Sequence, residues 1–577
     1  MNNNLQRYRI GILGESGSGL LSTGEILTKA LKNLGFYLVA DREYMSLIQG
    51  GHSAYILNIS KEPIWSLSES VDLMLALDKQ SLEALDSKLI DNGLLLHGYE
   101  KPKGLRQILE RLEARGVKEF ALPSREMAYA NGGTVLMTNM VLIGALWKLL
   151  GLPYQVIADE VTERFKSKPK LLEIDLLCLQ AGFDAVEKQV ELELPTEIQD
   201  SIVLNGNLSL ALGAVHAGCR VYYAYPMSPS SSILTYMMEM APKTGMLVKQ
   251  VEDEISVVQM AIGSMYAGTR ALAATSGGGF DLMTESVSLA GIIENPLVVI
   301  NAQRPGPGTG LPTWTAQGDL NLAMYAGHGE FARMVIAVSE VEDCFELIQH
   351  AFNYAEKYQM PVVVLTEKVI AESLWSIKPF EQNTVPIERG LVTDSKELAG
   401  LLQADRYKIT ESGVSKRWLP GSSDTYYFAN GDEHLEDGSL TEDAEPAAAM
   451  YAKRNRKLDA VLAELPEPKL YGTETDADIA FVGWGSTKNA MLDAIKLAAD
   501  QGKKIAYLHY SFVYPLKTER LKQFVANNKR IVLIEGNYNG QLGQLITQET
   551  GIQFTEKLLK YDGRPFFIED IMNFILT

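Results

Sequence analysis

Arg304 ends the most apolar strand-like run in the middle of the chain, PLVVINAQ, and opens a stretch nearly without side chains, Pro305-Gly306-Pro307-Gly308-Thr309-Gly310-Leu311-Pro312-Thr313. A guanidinium placed there is costly unless paired, and its planar fork matches a carboxylate, either a ligand's or that of an internal Asp or Glu. In Tyr225-Pro226-Met227-Ser228-Pro229-Ser230-Ser231-Ser232 the prolines fix φ and remove N–H donors, so the hydroxyls are held in place. Held hydroxyls suit ligand contacts, and any of these serines would equally serve as an N-cap for the helix that follows. Glu252-Asp253-Glu254 precedes the helical pattern ISVVQMAIGSMYAG, where acids in the first turn complement the helix dipole. Thr275-Ser276-Gly277-Gly278-Gly279 also lies between a strand and a helix. Consecutive glycines cost chain entropy, which is tolerated where a ligand or another chain segment passes close to the backbone.

Elements of one kind must carry all four groups. CRVYYAY, MLVKQV, RALAATS and PLVVINAQ are each followed by a loop, and the first three loops lead into helices, as in a parallel α/β domain. Ligands of such sheets sit beyond the carboxyl ends of the strands, where these residues fall. Upstream, RIGIL, the loop Gly14-Glu15-Ser16-Gly17-Ser18-Gly19, an amphipathic helix through Leu34 and the strand FYLVA read as a βαβ opening. That loop offers bare amides to a phosphate or is a plain tight turn; its spacing is not GxGxxG, and Asp41 is the acid nearest the end of the next strand. Ile48-Gln49-Gly50-Gly51-His52-Ser53 is a second backbone-exposing turn, or room for a neighbouring subunit. LELPTEIQD reads as a linker to a unit starting near Ser201. From Pro386 to about Leu470 the pattern breaks into charged, Gly/Pro-punctuated sequence containing His434. DIAFVGWGS, KKIAYLHYSFVYP and RIVLIEGNYNG then restore the alternation in a smaller third domain, while the MMEM run beside Tyr236 fits helix packing.

Composition narrows the function. A chain of 577 residues, 46% of them apolar, suits three or four domains. Lys+Arg 53 against Asp+Glu 72 leaves a net charge of -19, a field that disfavours nucleic acid and anionic membrane as partners. Cys178, Cys219 and Cys344 are far apart and form no CxxC, so neither a metal or iron–sulfur centre nor a disulfide framework is expected on this chain. MNNNLQRYRIGIL lacks a leader pattern and no run is long enough for a membrane span, so a cytoplasmic protein is expected.

Taken in order, these motifs resemble the alpha subunit of the 2-oxoacid:ferredoxin oxidoreductases, in the form with a gamma domain fused ahead of alpha. YPMSPSS is similar to that family's YPITPSS, VEDEIS to its E-x-E-x-x segment, TSGGGFDLMTE to TSGPGFSLMTE, and QRPGPGTGLPT to QRGGPSTGLPT. IQGGHSAY resembles the gamma domain, and GNYNGQLGQL with KYDGRPF the transketolase-like C-terminal domain. The resemblance implies a multidomain α/β fold of open parallel sheets: a gamma domain over 1–190, a thiamine diphosphate pyrimidine-binding domain over 200–380, an irregular linker or specificity segment over 381–470, and a transketolase C-terminal-like domain over 471–577. It implies oxidative decarboxylation of a 2-oxoacid on thiamine diphosphate, transfer of the acyl group to coenzyme A, and passage of two electrons through iron–sulfur to ferredoxin.

Residue by residue, Glu254 is similar to the glutamate that hydrogen-bonds N1′ of the aminopyrimidine. Tyr225, Pro226, Ser276 and Gly277 correspond to cofactor-binding positions. Ser228 and Arg304 correspond to the Thr and Arg that hold the keto and carboxylate groups of the substrate, with Thr309 in the same loop. Ser228 in place of threonine, Pro305 and Gly308 in place of Gly and Ser, and Gly278 in place of proline redistribute loop stiffness. The chain lacks a GDG…N segment for Mg²⁺ and lacks cluster cysteines; in the family both belong to the beta subunit, so this chain alone is expected to be catalytically incomplete and to work in a dimer of alpha–beta heterodimers. The fused architecture and GDEHLEDGS favour 2-oxoglutarate, with His434 facing its distal carboxylate. Pyruvate or 2-oxoisovalerate use, non-oxidative decarboxylation, the reverse reductive carboxylation, and a non-catalytic CoA- or nucleotide-binding regulatory role stay open.

Overall fold

The computed structural model describes residues 7–47, 51–98, 105–198, 200–382 and 384–577. The chain forms two compact units: residues 1–204 with 373–379 and 567–573, and residues 205–372 with 380–566 and 574–577.

The first unit holds an eight-stranded sheet in the order Lys118–Ala121, Leu89–His97, Val71–Ala76, Arg7–Glu15, His52–Ser60, Tyr37–Glu43, Leu374–Ile377, Ile202–Leu204. The strands of the expected βαβ opening are both present, but His52–Ser60 lies between them and runs antiparallel to each. The sheet is therefore mixed rather than wholly parallel. The loop joining Glu43 to His52 is too short for a crossover, so the third strand can only turn back on the second. Ile10, Ile12, Leu57, Leu73 and Leu75 pack under Leu146 and Trp147. Helices Thr138–Leu149 and Pro169–Asp184 come into backbone contact at Gly144 and Gly182, where a β-carbon would overlap Leu179 O and Val141 O.

The second unit contains two sheets. The larger runs Phe512–Tyr514, Met334–Ala337, Pro361–Glu367, Leu297–Gln303, Ala271–Thr275, Val221–Ala224, Leu247–Gln250. All neighbours are parallel except Phe512–Tyr514, an antiparallel edge strand contributed by sequence that reads as part of the third domain. The smaller runs Lys469–Gly472, Ile505–Tyr510, Ile479–Trp484, Ile531–Glu535, Glu556–Leu559, with only the first strand antiparallel. Central strands such as VVVL and LVVI are buried on both faces, as covered parallel sheets require.

The stretch read as irregular to about Leu470 contains a 21-residue helix, Ala444–Glu464. Its Ala-, Lys- and Arg-rich sequence has high helix propensity. It buries Met450, Lys453, Arg454, Lys457 and Val461, three of them cations, which disguises the apolar face to a periodicity reading. Lys453 and Lys457 both reach Glu294, and Arg406 donates to the Glu294 carbonyl at 3.1 Å. Among the described residues no single helix is long and apolar enough to cross a membrane.

Candidate active site

Four neighbouring parallel strands, Leu297–Gln303, Ala271–Thr275, Val221–Ala224 and Leu247–Gln250, end on one edge of the larger sheet. The four chemical groups singled out in the sequence begin at those ends.

The three acids after Leu247–Gln250 have separate tasks. Asp253 is the N-cap of helix Glu254–Tyr266 and accepts from Ser256 N at 2.8 Å. Glu252 is exposed and accepts from the Ser256 hydroxyl at 2.9 Å. Glu254 is 3% exposed, and the Thr275 hydroxyl donates to its Oε1 at 3.4 Å. Capping thus accounts for Asp253 and leaves Glu254 a buried carboxyl group held, among the described residues, by one weak neutral donor, an arrangement that calls for a further partner. Gly279 packs so close that a β-carbon there would overlap both Glu254 Oε1 and Thr275 Oγ1.

Ser276 and Asn301 stand at the ends of adjacent strands whose register pairs Thr275 with Asn301. Both are fully buried, and Ser276 Oγ and Asn301 Oδ1 have no hydrogen-bond partner. Asn301 Nδ2 donates to Asp319 Oδ2 at 3.3 Å.

In the Tyr225–Ser232 loop, Asn207 Nδ2 donates to Pro229 O and to Ser232 Oγ, both at 2.8 Å, and ties the loop to helix Gly206–His216. Ser230 bonds back to Met227 O at 2.7 Å, whereas the Ser228 hydroxyl has no bonded partner among the described residues and only its carbonyl is engaged. Tyr225 and Pro226 are exposed.

Arg304 is half-buried and its Nη1 donates to Ser228 O at 2.8 Å, which joins two of the expected site residues. No carboxylate among the described residues lies within ion-pair distance, so the internal partner weighed from the sequence is absent there and the remaining donors of the fork are free. Burial lowers the Arg304 pKa, opposed by the charge of Asp319. Thr309 is exposed in the same loop, which Leu311 N closes onto Pro305 O at 3.0 Å. The close approach needs Gly310, at φ 55°, whose β-carbon would overlap Pro305 O.

Asp319 was not legible as a site residue. Its carboxylate rests on the backbone of Gly277, where a β-carbon would stand 2.5 Å from Oδ2. Burial, reinforced by Asp281, pushes its pKa up to about 6. The available signals were an asparagine interrupting an apolar strand, at Asn301, and an acid just past the glycine-rich loop in AQGDL.

His434, expected to face the distal carboxylate of the substrate, is instead set against backbone carbonyls. It is fully buried, with Nδ1 2.9 Å from Leu435 O, Nε2 3.3 Å from Ile292 O, and its ring against Tyr407. The irregular segment folds over it, which a solvated-loop reading could not anticipate. Asp41 is likewise committed: it is buried and accepts from the Ser373 hydroxyl at 2.6 Å, so it is not a free ribose acceptor. Gly19 caps the first helix, and Asn139 Nδ2 ties Ser18 O at 2.8 Å. Ile48, Gln49 and Gly50 lie outside the described residues.

Fold and site together define an α/β enzyme subunit with a buried carboxylate and an uncommitted arginine at one strand edge. Three family models match along the chain. Pyruvate ferredoxin/flavodoxin oxidoreductase covers 9–185; pyruvate flavodoxin/ferredoxin oxidoreductase, thiamine diP-bdg, covers 212–415; and pyruvate:ferredoxin oxidoreductase core domain II covers 477–571. A 2-oxoacid:ferredoxin oxidoreductase subunit alpha from Sulfolobus sp is 31% identical, covering 97% of this chain and 95% of its own length. A 2-oxoglutarate synthase subunit KorA from Methanothermobacter thermautotrophicus is 29% identical over 65% of this chain and 97% of its own. The structure of a 2-oxoglutarate:ferredoxin oxidoreductase from Magnetococcus marinus, with 2-oxoglutarate, coenzyme A and succinyl-CoA bound, superposes with a TM-score of 0.91 at 28% identity over 99% of both chains. The chain belongs to the 2-oxoacid:ferredoxin oxidoreductase alpha-subunit family, oxidoreductases that work with a partner subunit.

Proposed function

We propose that this chain is the gamma–alpha fused subunit of an enzyme that converts 2-oxoglutarate and CoA to succinyl-CoA and CO2, passing two electrons to ferredoxin. The observation that carries the reading is the pairing of Glu254, a buried acid without a structural task, with Arg304, a guanidinium without an internal carboxylate. The site fits the aminopyrimidine of thiamine diphosphate: it offers a buried carboxylate, which Gly279 leaves room for, and two unpartnered buried polar atoms on Ser276 and Asn301. When bound, that cofactor supplies the nucleophilic carbon and the electron sink.

Glu254 would hydrogen-bond the ring nitrogen and hold a proton there, shielded from water by its burial. Ser276 and Gly277, with Tyr225 and Pro226 at the mouth, would line the cofactor's flank. The free donors of Arg304 would take the substrate carboxylate, and the Ser228 hydroxyl the keto oxygen, so that charge complementarity and fixed geometry act together. Thr309 would border the same subsite. Mg²⁺ and the iron–sulfur cluster would be carried by the beta subunit, and alpha–beta pairs would associate as a dimer. The 1–190 segment is read as the gamma domain, 200–380 as the pyrimidine-binding domain, and 471–577 as the transketolase-like domain.

Relatives named for 2-oxoglutarate and for 2-oxoacids in general both support the class. The test is viologen reduction by this chain co-purified with its beta subunit, using 2-oxoglutarate, pyruvate and 2-oxoisovalerate, each with and without CoA. CoA-dependent reduction preferring 2-oxoglutarate is expected. Preference for another acid would replace the substrate and keep the mechanism; no reduction by a fully loaded complex would overturn the reading.

A further inference from the structure

Asn207 is fully buried in the first turn of helix Gly206–His216, and its amide donors are spent outside that helix: Nδ2 donates to Pro229 O and to Ser232 Oγ, each at 2.8 Å. The neighbours of Asn207 fix the helix end on which it stands. Asn205 caps the helix, accepting from Leu208 N at 2.8 Å, and donates to the Tyr236 hydroxyl at 3.0 Å. Gly206 lies against Ile370 O, where a β-carbon would stand 2.5 Å away. The amide is therefore presented from a fixed helix end.

Three successive carbonyls of the Tyr225–Ser232 loop are held. Met227 O accepts from Ser230 N at 2.9 Å and from the Ser230 hydroxyl at 2.7 Å, Ser228 O from Arg304 Nη1 at 2.8 Å, and Pro229 O from Asn207. Ser230 belongs to the same loop and Arg304 to another, so Asn207 supplies the anchor that comes from a helix. The ring of Pro229 fixes its φ. With the carbonyls before and after that ring bonded, the backbone that aims the Ser228 side chain has little freedom left, while the Ser228 hydroxyl has no bonded partner among the described residues. A tied backbone around an uncommitted hydroxyl is what preorganisation toward a ligand atom requires.

We propose that Asn207 is a positioning residue of the keto subsite: through the Pro229 carbonyl it fixes the direction of the Ser228 hydroxyl, so that its amide governs turnover rather than substrate affinity. The inference rests on the assignment of Ser228 to the keto oxygen of the 2-oxoacid. Arg304, which takes the carboxylate in that reading, meets the loop at Ser228 O, a contact separate from the Asn207 amide.

The experiment is a double-mutant cycle on the assembled alpha–beta enzyme, read by viologen reduction as kcat and KM for the 2-oxoacid that the wild type prefers. Ser228→Ala should lower kcat about a hundredfold, the worth of one donor on a developing oxyanion. Asn207→Ala should lower kcat roughly tenfold and leave KM within about threefold of wild type, as for an interaction realised in the transition state. The double variant should lose no more than Ser228→Ala alone, because Asn207 acts through that hydroxyl. Ser232→Ala removes the other partner of the Asn207 amide and spares the Pro229 contact, so its loss should be smaller than that of Asn207→Ala. Unchanged kcat in Asn207→Ala, a change confined to KM, losses that multiply in the double variant, or an equal loss in Ser232→Ala would each overturn the proposal. Asn207→Leu, of the same branched shape without donors, takes the place of the alanine variant in the cycle if that variant fails to assemble. Ser228→Ala separates the two levels. If it lowers kcat while the Asn207 losses multiply with it, only the Asn207 role is lost; if it leaves kcat unchanged, the keto assignment itself falls.

Discussion

Gly279 and Glu254 are in such close contact that a β-carbon on the glycine would overlap the carboxylate oxygen Oε1. Gly279→Ala must therefore move Glu254 or Thr275. Gly278→Ala adds a methyl group into open space one residue away. The first should lower turnover about a hundredfold, the cost of misplacing a reacting group by about 1 Å. The second should stay near wild type. Thiamine diphosphate titration by intrinsic fluorescence, alongside viologen kinetics, tests the pair.

Glu254→Gln keeps the shape and the Thr275 contact while removing the carboxyl. Turnover of the assembled enzyme should fall by about 10²–10⁴, the usual worth of a positioned acid or base. Stability should hold or rise, because the side chain is buried with no cation paired to it among the described residues. Loss of activity together with loss of fold would argue for a structural role instead.

Glu294 is flanked by Lys453 and Lys457, all three fully buried or nearly so. Against the effect of burial, Lys457 and then Lys453 hold its carboxyl down at about 2. A carboxyl lowered in the folded state contributes stability above its unfolded pKa, lost as pH falls from about 4.5 toward 2. Burial lowers Lys453 to about 7, so over about 7 to 10.5 the unfolded chain binds more protons and stability rises with pH. Glu294→Gln strands two buried ammonium groups and should cost about 3–5 kcal/mol near neutrality, with a smaller deficit as pH rises. Urea unfolding across pH measures both the deficit and its slope.

His434→Ala removes a ring whose two nitrogens face backbone carbonyls. It should destabilise by about 1–3 kcal/mol through unsatisfied carbonyls, while the ratio of kcat/KM for 2-oxoglutarate to that for pyruvate stays as in wild type. A selective loss of 2-oxoglutarate use would restore His434 to the specificity subsite.

Much of the site was legible because its signals are local. Tyr225–Ser232, Glu252–Glu254, Ser276–Gly279 and Arg304–Gly310 each follow a short apolar run, and apolar period and chain breakers are properties of neighbouring residues. The first sheet was only half legible: both strands of its βαβ opening could be found, but not the antiparallel strand between them. Helix Ala444–Glu464 escaped because its inward face carries lysines, whose burial depends on Glu294 far away in sequence.

The sequence by itself determined which strand ends carry chemistry and, through four motifs in order, the family. Tertiary structure decided which acid is which. Asp253 caps the helix, Glu254 turns inward, and Asp319, unremarkable in sequence, comes to rest on Gly277. It also sealed His434 away and left Arg304 without a carboxylate partner among the described residues. The physical reason is that burial and hydrogen-bond partnership arise between segments tens to hundreds of residues apart. Whether a polar group is spent on the fold or kept for a ligand is therefore settled only when those segments meet.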